Sequence, residues 1–187
     1  MTDFASMLKR LIMKNLLFLI ASIIFCMSCQ KVDFDINHPD VGTFVNKLKN
    51  GTYDYYKKGE NGENLWLMMP KFTKDDIQAL IDLSKDTSHI TGFPANPASS
   101  MPVFPLDRHY YILGECLLWI VEGIRNDTGF GSLNPYVINT TSTLNYKALK
   151  GSKVLVIREF YIGWWGNYKD YGWKDKNPLE GTLYRWL

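Results

Sequence analysis

The sequence has little cysteine, little histidine and almost no excess charge of either sign. Its three cysteines, Cys26, Cys29 and Cys116, are too few for the disulfide framework of a small secreted domain. Cys116 lies in an apolar stretch, which favours a buried thiol over a nucleophile. The three histidines are scattered, so we expect no metal and no other cofactor. A formal net charge of +2 over 187 residues argues against a nucleic-acid partner.

A hydrophobic run long enough to cross a membrane is also missing. The apolar run Leu16–Met27 falls short of the about 20 residues that a bilayer core requires. Basic residues precede it, namely Lys9, Arg10 and Lys14. Basic residues followed by a short apolar run are typical of an export signal, so we predict that residues 1–28 are a signal peptide.

The run Cys26-Met27-Ser28-Cys29 resembles the lipobox of bacterial lipoproteins, in which a small residue precedes an acylated cysteine. Ser28 and Cys29 match this pattern, whereas Cys26 stands where leucine is usual. The resemblance implies that Cys29 carries the lipid and that the protein is anchored in the cell envelope. The run Gln30-Lys31-Val32-Asp33 also resembles the surface-export signals of such lipoproteins, which implies the outer membrane. Several acyl chains would hold it firmly, because each buried methylene contributes about 0.8 kcal/mol. We interpret residues 29–38 as a tether.

Residues 39–187 are predicted to form one compact, mainly α-helical domain with long proline-rich loops and at most a small β element. Asp40 is placed to cap a first helix. Thr73 and Asp76 have the spacing of a capping box, which predicts the start of a second helix.

Two further helices follow from the apolar patterns. The segment Asp107–Arg125 is apolar around most of its girth, which predicts a buried central helix. Apolar residues recur every three or four positions after Lys153, which favours a helix over a strand. Residues 87–106 hold half of the prolines and predict a long loop. Residues 136–138 allow a short strand, and residues 169–187 are expected to be irregular.

The C-terminal end is unusually aromatic. Between residues 160 and 187 lie Phe160, Tyr161, Trp164, Trp165, Tyr168, Tyr171, Trp173, Tyr184 and Trp186. Such rings can cover the core, form a protein interface or stack on sugars, and the sequence leaves these three uses open. Trp164 is in phase with the apolar helix positions, so we expect its neighbour Trp165 to face solvent. Trp165, Tyr171 and Trp173 are therefore the candidate contact residues for a ligand or partner.

Two glutamates on the predicted central helix are the alternative candidate site. Glu115 and Glu122 are seven residues apart and share one helix face, which allows the paired carboxylates of a glycoside hydrolase. Arg108 and Arg125 lie at spacings that would instead pair with these acids. The sequence alone leaves both readings open, and it provides no catalytic residue that we single out.

The runs Phe93–Pro97, Leu113–Trp119 and Glu122–Arg125, together with the lipobox and the aromatic tail, resemble uncharacterised lipoprotein families of Bacteroidetes. This resemblance implies envelope localisation and no particular activity. We therefore expect a non-catalytic protein that binds an envelope protein or a glycan. A carbohydrate-active hydrolase and an immunity-type inhibitor of a toxin remain the alternatives.

Overall fold

The computed structural model describes residues 34–100, 108–141 and 148–187, and these hold four α-helices and six short strands. The helices are α1 (Val41–Lys49), α2 (Ile77–Leu83), α3 (Leu113–Arg125) and α4 (Lys153–Tyr168). The strands are β1 (Tyr56–Lys58), β2 (Asn64–Leu67), β3 (His89–Ile90), β4 (Tyr111–Ile112), β5 (Val137–Asn139) and β6 (Tyr184–Trp186). The predicted signal peptide and Cys29 lie outside the described residues.

The prediction of a mainly helical fold is wrong, because the domain is mixed α/β. The six strands form three separate two-stranded antiparallel sheets, which pair β1 with β2, β3 with β4 and β5 with β6. Each strand has only two to four residues. Alternation becomes recognisable in a sequence only over four to eight residues. Five of the six strands are shorter than that, and β2 only reaches the lower limit.

The first two helices begin where the capping residues predicted. The Thr43 backbone N–H donates to Asp40 Oδ1 at 2.6 Å, which caps α1. A 3-10 turn, Lys74–Asp76, leads into α2, and the Thr73 N–H donates to Asp76 Oδ2 at 2.7 Å. In both cases a carboxylate satisfies an N–H group that the first helical turn leaves unpaired.

Helix α3 is the centre of the core, as its apolar sequence predicted, but it is shorter than expected. Its residues from Leu113 to Gly123 are buried. The predicted start at Asp107 is wrong, since the helix begins at Leu113. Strand β4 immediately precedes it and pairs with β3, with Ile90 opposite Tyr111. The residues that pair with β4 lie 21 and 23 positions earlier in the chain, so the local sequence pattern gives no indication of the pairing.

The chain after α4 is not irregular throughout, because it returns as strand β6 beside β5. Val137 pairs with Trp186 and Asn139 pairs with Tyr184. The Trp186 Nε1–H donates to the hydroxyl of the buried Tyr161 at 2.8 Å, which joins this strand to α4. The helical interpretation of the segment after Lys153 is confirmed by α4, and the strand expected near residues 136–138 is confirmed by β5.

The first described residues are part of the domain. Phe34 is buried and its ring packs on those of Phe44, Tyr53 and Tyr55. The Lys71 N–H donates to the Ile36 carbonyl at 2.9 Å. The predicted tether over residues 29–38 is therefore too long at its C-terminal end, since the chain is already packed at Phe34. Within the described part of the chain, no helix has the length and apolar character needed to span a membrane.

Candidate ligand groove

Glu115 is a buried acid that connects separate parts of the chain through non-covalent contacts. It is 1% exposed, and its Oε2 forms an ion pair with the equally buried Arg108. Its Oε1 accepts a hydrogen bond of 2.7 Å from the backbone N–H of Val137 in β5. The guanidinium of Arg108 also donates to the Leu149 carbonyl at 2.6 Å. This arrangement fixes β5 and the chain around residue 149 against α3.

Glu122 has a similar structural role at the other end of α3. It is 3% exposed, and its Oε2 accepts hydrogen bonds from Arg125 at 2.8 and 3.1 Å. Its Oε1 accepts a hydrogen bond of 2.5 Å from the hydroxyl of Tyr161 in α4. Burial, together with the nearby Glu122 carboxylate, raises the pKa of Tyr161 well above its ordinary value. Tyr161 is therefore a neutral hydrogen-bond donor.

The arrangement that a glycoside hydrolase requires is absent from this pair of acids. A hydrolytic pair must open into one cleft that admits a sugar, whereas Glu115 and Glu122 are both buried and paired with arginine. The ion-paired interpretation of these residues is confirmed. Cys116 is fully buried as well, and burial raises the pKa of its thiol well above its ordinary value, so it is an unreactive core residue.

The three aromatic candidates have different environments. Trp165 is 7% exposed, so the expectation that it faces solvent is wrong. Its ring packs against Trp164 at 5.4 Å and against Trp173 at 6.1 Å, because the chain beyond α4 folds back over it. Tyr171 is 77% exposed, in agreement with a surface position. Trp173 is half-buried and contributes to a groove.

This groove, with a volume of about 480 Å³, is the candidate site. Its walls come from the segment before α2, from the C-terminal end of α3 and the loop after it, and from the C-terminal segment. The lining residues are Met69, Pro70, Lys71, Phe72, Thr73, Lys74, Ile120, Gly123, Ile124, Asp127, Gly129, Trp173 and Lys174. We call it the Trp173 groove.

The wall that carries Trp173 is held in place by both long helices. The Trp164 Nε1–H of α4 donates to the Trp173 carbonyl at 3.1 Å. The Arg125 guanidinium of α3 donates to the Lys174 carbonyl at 3.0 Å, and the same guanidinium is oriented by Glu122. The buried Glu122 thus acts on the groove indirectly, by positioning the arginine that fixes its wall.

Lysines give the groove a positive rim around its aromatic wall. The lining contains Lys71, Lys74 and Lys174 against the single acid Asp127, which leaves a formal charge of +2. The ammonium groups of Lys74 and Lys174 lie 5.9 and 5.4 Å from the centre of the Trp173 ring. Such distances allow cation–π attraction. Lys174 also forms an ion pair with Asp127.

The sequence predicted only one residue of this groove, Trp173, as a contact residue for a ligand or partner. Trp173 was singled out, whereas the lysines and the apolar residues of α3 were not. Lys71 and Trp173 are about a hundred positions apart, and only the tertiary fold brings them together. The one local signal was the Trp173-Lys174 pair, which is too short to specify a site.

The groove offers apolar contact and positive charge but no catalytic set. Among residues 34–100, 108–141 and 148–187, no three side chains of the metal-binding types are grouped as a metal site. The absence of cofactors stays a prediction. Chemically, the groove can accept an apolar side chain on its floor and bind carboxylates at its rim.

Comparisons with known proteins identify a family and no function. No curated protein and no solved structure matches the chain. A family model described as a domain of unknown function, DUF4943, matches residues 35–187. This agrees with the resemblance to an uncharacterised family, while the lipoprotein and Bacteroidetes aspects of that resemblance remain expectations. The chain belongs to the DUF4943 family.

Proposed function

We propose that this protein is a lipid-anchored, non-catalytic binding protein of the cell envelope, which holds an acidic segment of a partner protein in the Trp173 groove. The anchor is Cys29, in the outer membrane. The observation that supports the binding role is the combination, in one groove, of an apolar floor, an aromatic wall and a net positive rim.

The groove floor favours an apolar side chain of the ligand. Met69, Phe72, Ile120 and Ile124 all line it, and Trp173 forms one wall. Aromatic walls in partly desolvated pockets supply much of the binding energy at protein interfaces. A ligand with an aromatic or branched aliphatic side chain would gain roughly 1.5–3 kcal/mol from burying it fully.

The rim favours a ligand with negative charge beside that apolar side chain. Lys71 and Lys74 are exposed and have no ion pair among the described residues, whereas Lys174 is already paired with Asp127. Carboxylates at the rim would meet two lysines without a competing acid. Complementary charge of this kind accelerates association and selects partners more than it adds affinity.

A protein segment suits this groove better than a glycan does. Sugar hydroxyls need many hydrogen-bonding partners, and the lining contains no asparagine, glutamine or glutamate. The Trp173 ring also has two ammonium groups over it, which compete with a sugar for the ring face. We therefore favour the peptide and treat the glycan as an outcome to be tested.

The test measures binding of short fluorescein-labelled peptides to the purified full chain by fluorescence anisotropy. One peptide set flanks a central Phe or Leu with Asp and Glu, and the matched set flanks the same centre with Lys. The acidic set should bind more tightly, and its binding should weaken as salt is added. The double variant Lys71→Glu/Lys74→Glu should lose about tenfold in affinity, since each exposed charge contributes up to about 1 kcal/mol.

The control for charge is Lys169→Glu/Lys176→Glu, which changes two exposed lysines outside the groove lining by the same amount. It should bind like the unmodified protein. Equal affinity for acidic and basic peptides would contradict the proposal. So would neutral oligosaccharides that bind to the protein and are lost in Trp173→Ala, because that result assigns the groove to a glycan.

The anchor has its own test, because it does not depend on the groove. Mass spectrometry of protein purified from the envelope should find an N-terminal peptide that begins at Cys29 and carries acyl chains. Replacement of Cys29 with Ser should release the protein from the membrane fraction. An unmodified Cys29 in an uncleaved chain would overturn the anchoring.

A further inference from the structure

The β1–β2 hairpin, residues 56–67, projects apolar side chains that the core does not use. Strands β1 and β2 pair only with each other among the described residues. A tight turn joins them, in which the Gly59 N–H donates to the Glu63 carbonyl at 2.9 Å. Every residue from 60 to 66 is exposed. The hairpin is therefore a protruding element, and both of its edges are open.

Three large apolar residues on this hairpin face solvent. Leu65 is 47% exposed, Tyr56 is 39% exposed and Trp66 is 37% exposed. Successive side chains of a strand point to opposite faces, so Leu65 and Trp66 make the two faces of β2 apolar. A single exposed apolar residue is ordinary. A leucine, a tyrosine and a tryptophan divided between the two faces of one short hairpin instead suit an element that is surrounded by an apolar environment on both sides.

The hairpin begins next to the point where the chain enters the domain. The Tyr55 hydroxyl donates to the Phe34 carbonyl at 2.8 Å, and the two rings pack at 5.5 Å. Tyr55 directly precedes β1. The five residue steps from Cys29 to Phe34 span at most about 18 Å even when fully extended. A lipid on Cys29 would therefore keep Phe34 within that distance of the membrane surface, and Phe34 contacts the base of the hairpin through Tyr55.

We propose that the hairpin lies in the interfacial layer of the bilayer to which Cys29 is anchored, through Tyr56, Leu65 and Trp66. This inference rests on the anchoring part of the proposed function and not on the Trp173 groove. Its partner is the phospholipid surface. The hairpin gives the tethered domain a second attachment point and thus a fixed orientation on the membrane.

The composition of the hairpin fits the interface and not the hydrocarbon interior. Tryptophan and tyrosine concentrate at membrane–water interfaces, where one end of the ring is apolar and the other hydrated. The turn carries Glu60 and Glu63, which keep the tip at the level of the headgroups. Lys57 and Lys58 balance these two acids. Because the hairpin has no net charge, its contact with lipid should depend little on salt or on anionic lipid.

The experiment places a spin label on the hairpin of the acylated protein, reconstituted into vesicles of phosphatidylethanolamine and phosphatidylglycerol. Leu65→Cys supplies the labelling site, and Leu183→Cys is its matched control. Leu183 is 55% exposed and directly precedes a strand of a different two-stranded sheet. The native Cys116 is fully buried and does not compete for label.

Accessibility of each label to oxygen, which enters lipid, and to a water-soluble nickel chelate measures its depth. The ratio of oxygen to chelate accessibility should be severalfold higher at position 65 than at position 183. Adding Trp66→Ser to Leu65→Cys should lower that ratio. Raising the salt concentration should leave it unchanged.

Equal ratios at positions 65 and 183 would overturn the proposal. Dipolar broadening between labels at position 65 would also overturn it, because the hairpin would then be an interface between two copies of the chain. Mass spectrometry before reconstitution separates the two proposals. A protein without acyl chains would contradict the proposed anchor itself. An acylated protein with a water-exposed label at position 65 would contradict only the proposed contact between the hairpin and the membrane.

Discussion

At the scale of single residues, the buried carboxylates tie together parts of the chain that are far apart in sequence. Glu115 joins Arg108 to Val137, and Glu122 joins Arg125 to Tyr161. A buried ion pair adds little net stability, because desolvation offsets most of the attraction between its charges. Removing one partner is costly, however, since the other charge is then left alone in the core.

Glu115→Gln should therefore be strongly destabilising. Glutamine keeps an acceptor for the Val137 N–H but leaves the buried Arg108 without a counter-charge. We expect a loss of about 3–5 kcal/mol in the free energy of unfolding, measured by denaturant titration. The double variant Arg108→Met/Glu115→Gln should recover part of this loss. If the double variant instead loses the sum of the free energies that the two single variants lose, the ion pair is not the source of the destabilisation.

Asp86 makes the stability of the fold dependent on pH. Burial alone would raise the pKa of Asp86, but hydrogen bonds from Lys49 and Ser88 outweigh it and lower the pKa from 3.8 to about 2. A carboxylate with a depressed folded pKa stabilises the protein above its unfolded pKa. That stabilisation is lost as the pH falls from about 4 to about 2.

Asp86→Asn should remove this contribution. The asparagine still accepts the Ser88 N–H but no longer attracts Lys49. At about pH 6 we expect the variant to be less stable by about 1 kcal/mol, since the pair is partly exposed to solvent. Denaturant unfolding at several pH values should show the difference shrinking towards pH 2. A difference that stays constant over this range would contradict the assignment to charge.

At the scale of elements, α3 lies close against the end of α2. Gly114 lies against the carbonyl groups of Ser84 and Asp86, and its own N–H donates to the Asp86 carbonyl at 2.8 Å. A methyl group at this position would collide with the Ser84 carbonyl oxygen. This contact fixes the spacing between α3 and the end of α2.

Gly114→Ala should thus destabilise the protein, by roughly 1–3 kcal/mol, because the obstacle is backbone and cannot rotate away. Gly163→Ala is the matched control in α4. Nothing lies near the added methyl group there, and Gly163 is exposed. The control should gain about 0.5–1 kcal/mol from helix propensity. Thermal unfolding of both variants measures the contrast, and equal shifts would refute the packing argument.

Helices and strands of this protein differ in how far the sequence predicted them. The carboxylate caps of Asp40 and Asp76 act within three residues, and the apolar spacing of α4 is a local property as well. Strands β3 and β4 exist because their backbones pair across the chain. The prediction that Trp165 faces solvent was wrong for a related reason. Trp173, from a later segment of the chain, covers the face of α4 that apolar spacing alone predicted to be exposed.

At the scale of the whole molecule, strand β6 closes the domain. It pairs with β5, and its Trp186 contacts the Tyr161 hydroxyl that also binds Glu122. Tyr184 and Trp186 are half-buried against the core. The C-terminal end of the chain therefore belongs to the folding unit, in agreement with a family match that extends to residue 187.

Truncation after Leu183 should cost about 3 kcal/mol of unfolding free energy, from the loss of two partly buried aromatic side chains. Trp186→Phe, which keeps most of the apolar area but loses the hydrogen bond to Tyr161, should cost about 1 kcal/mol. Differential scanning fluorimetry of the two variants would rank them. A truncated chain as stable as the intact one would show that β6 is dispensable.

The sequence by itself determined the order of the helices, the caps that precede α1 and α2, the central position of α3 and the aromatic character of the C-terminal segment. These features are set by contacts between residues a few positions apart and by how many side chains of a segment are apolar or aromatic. The tertiary structure alone decided that Glu115 and Glu122 are buried and paired with arginine. It also decided that Trp165 is covered and that Lys71 and Lys74 line one groove with Trp173. Each of these features depends on contacts between residues that are distant in the chain, and a local sequence pattern does not report such contacts.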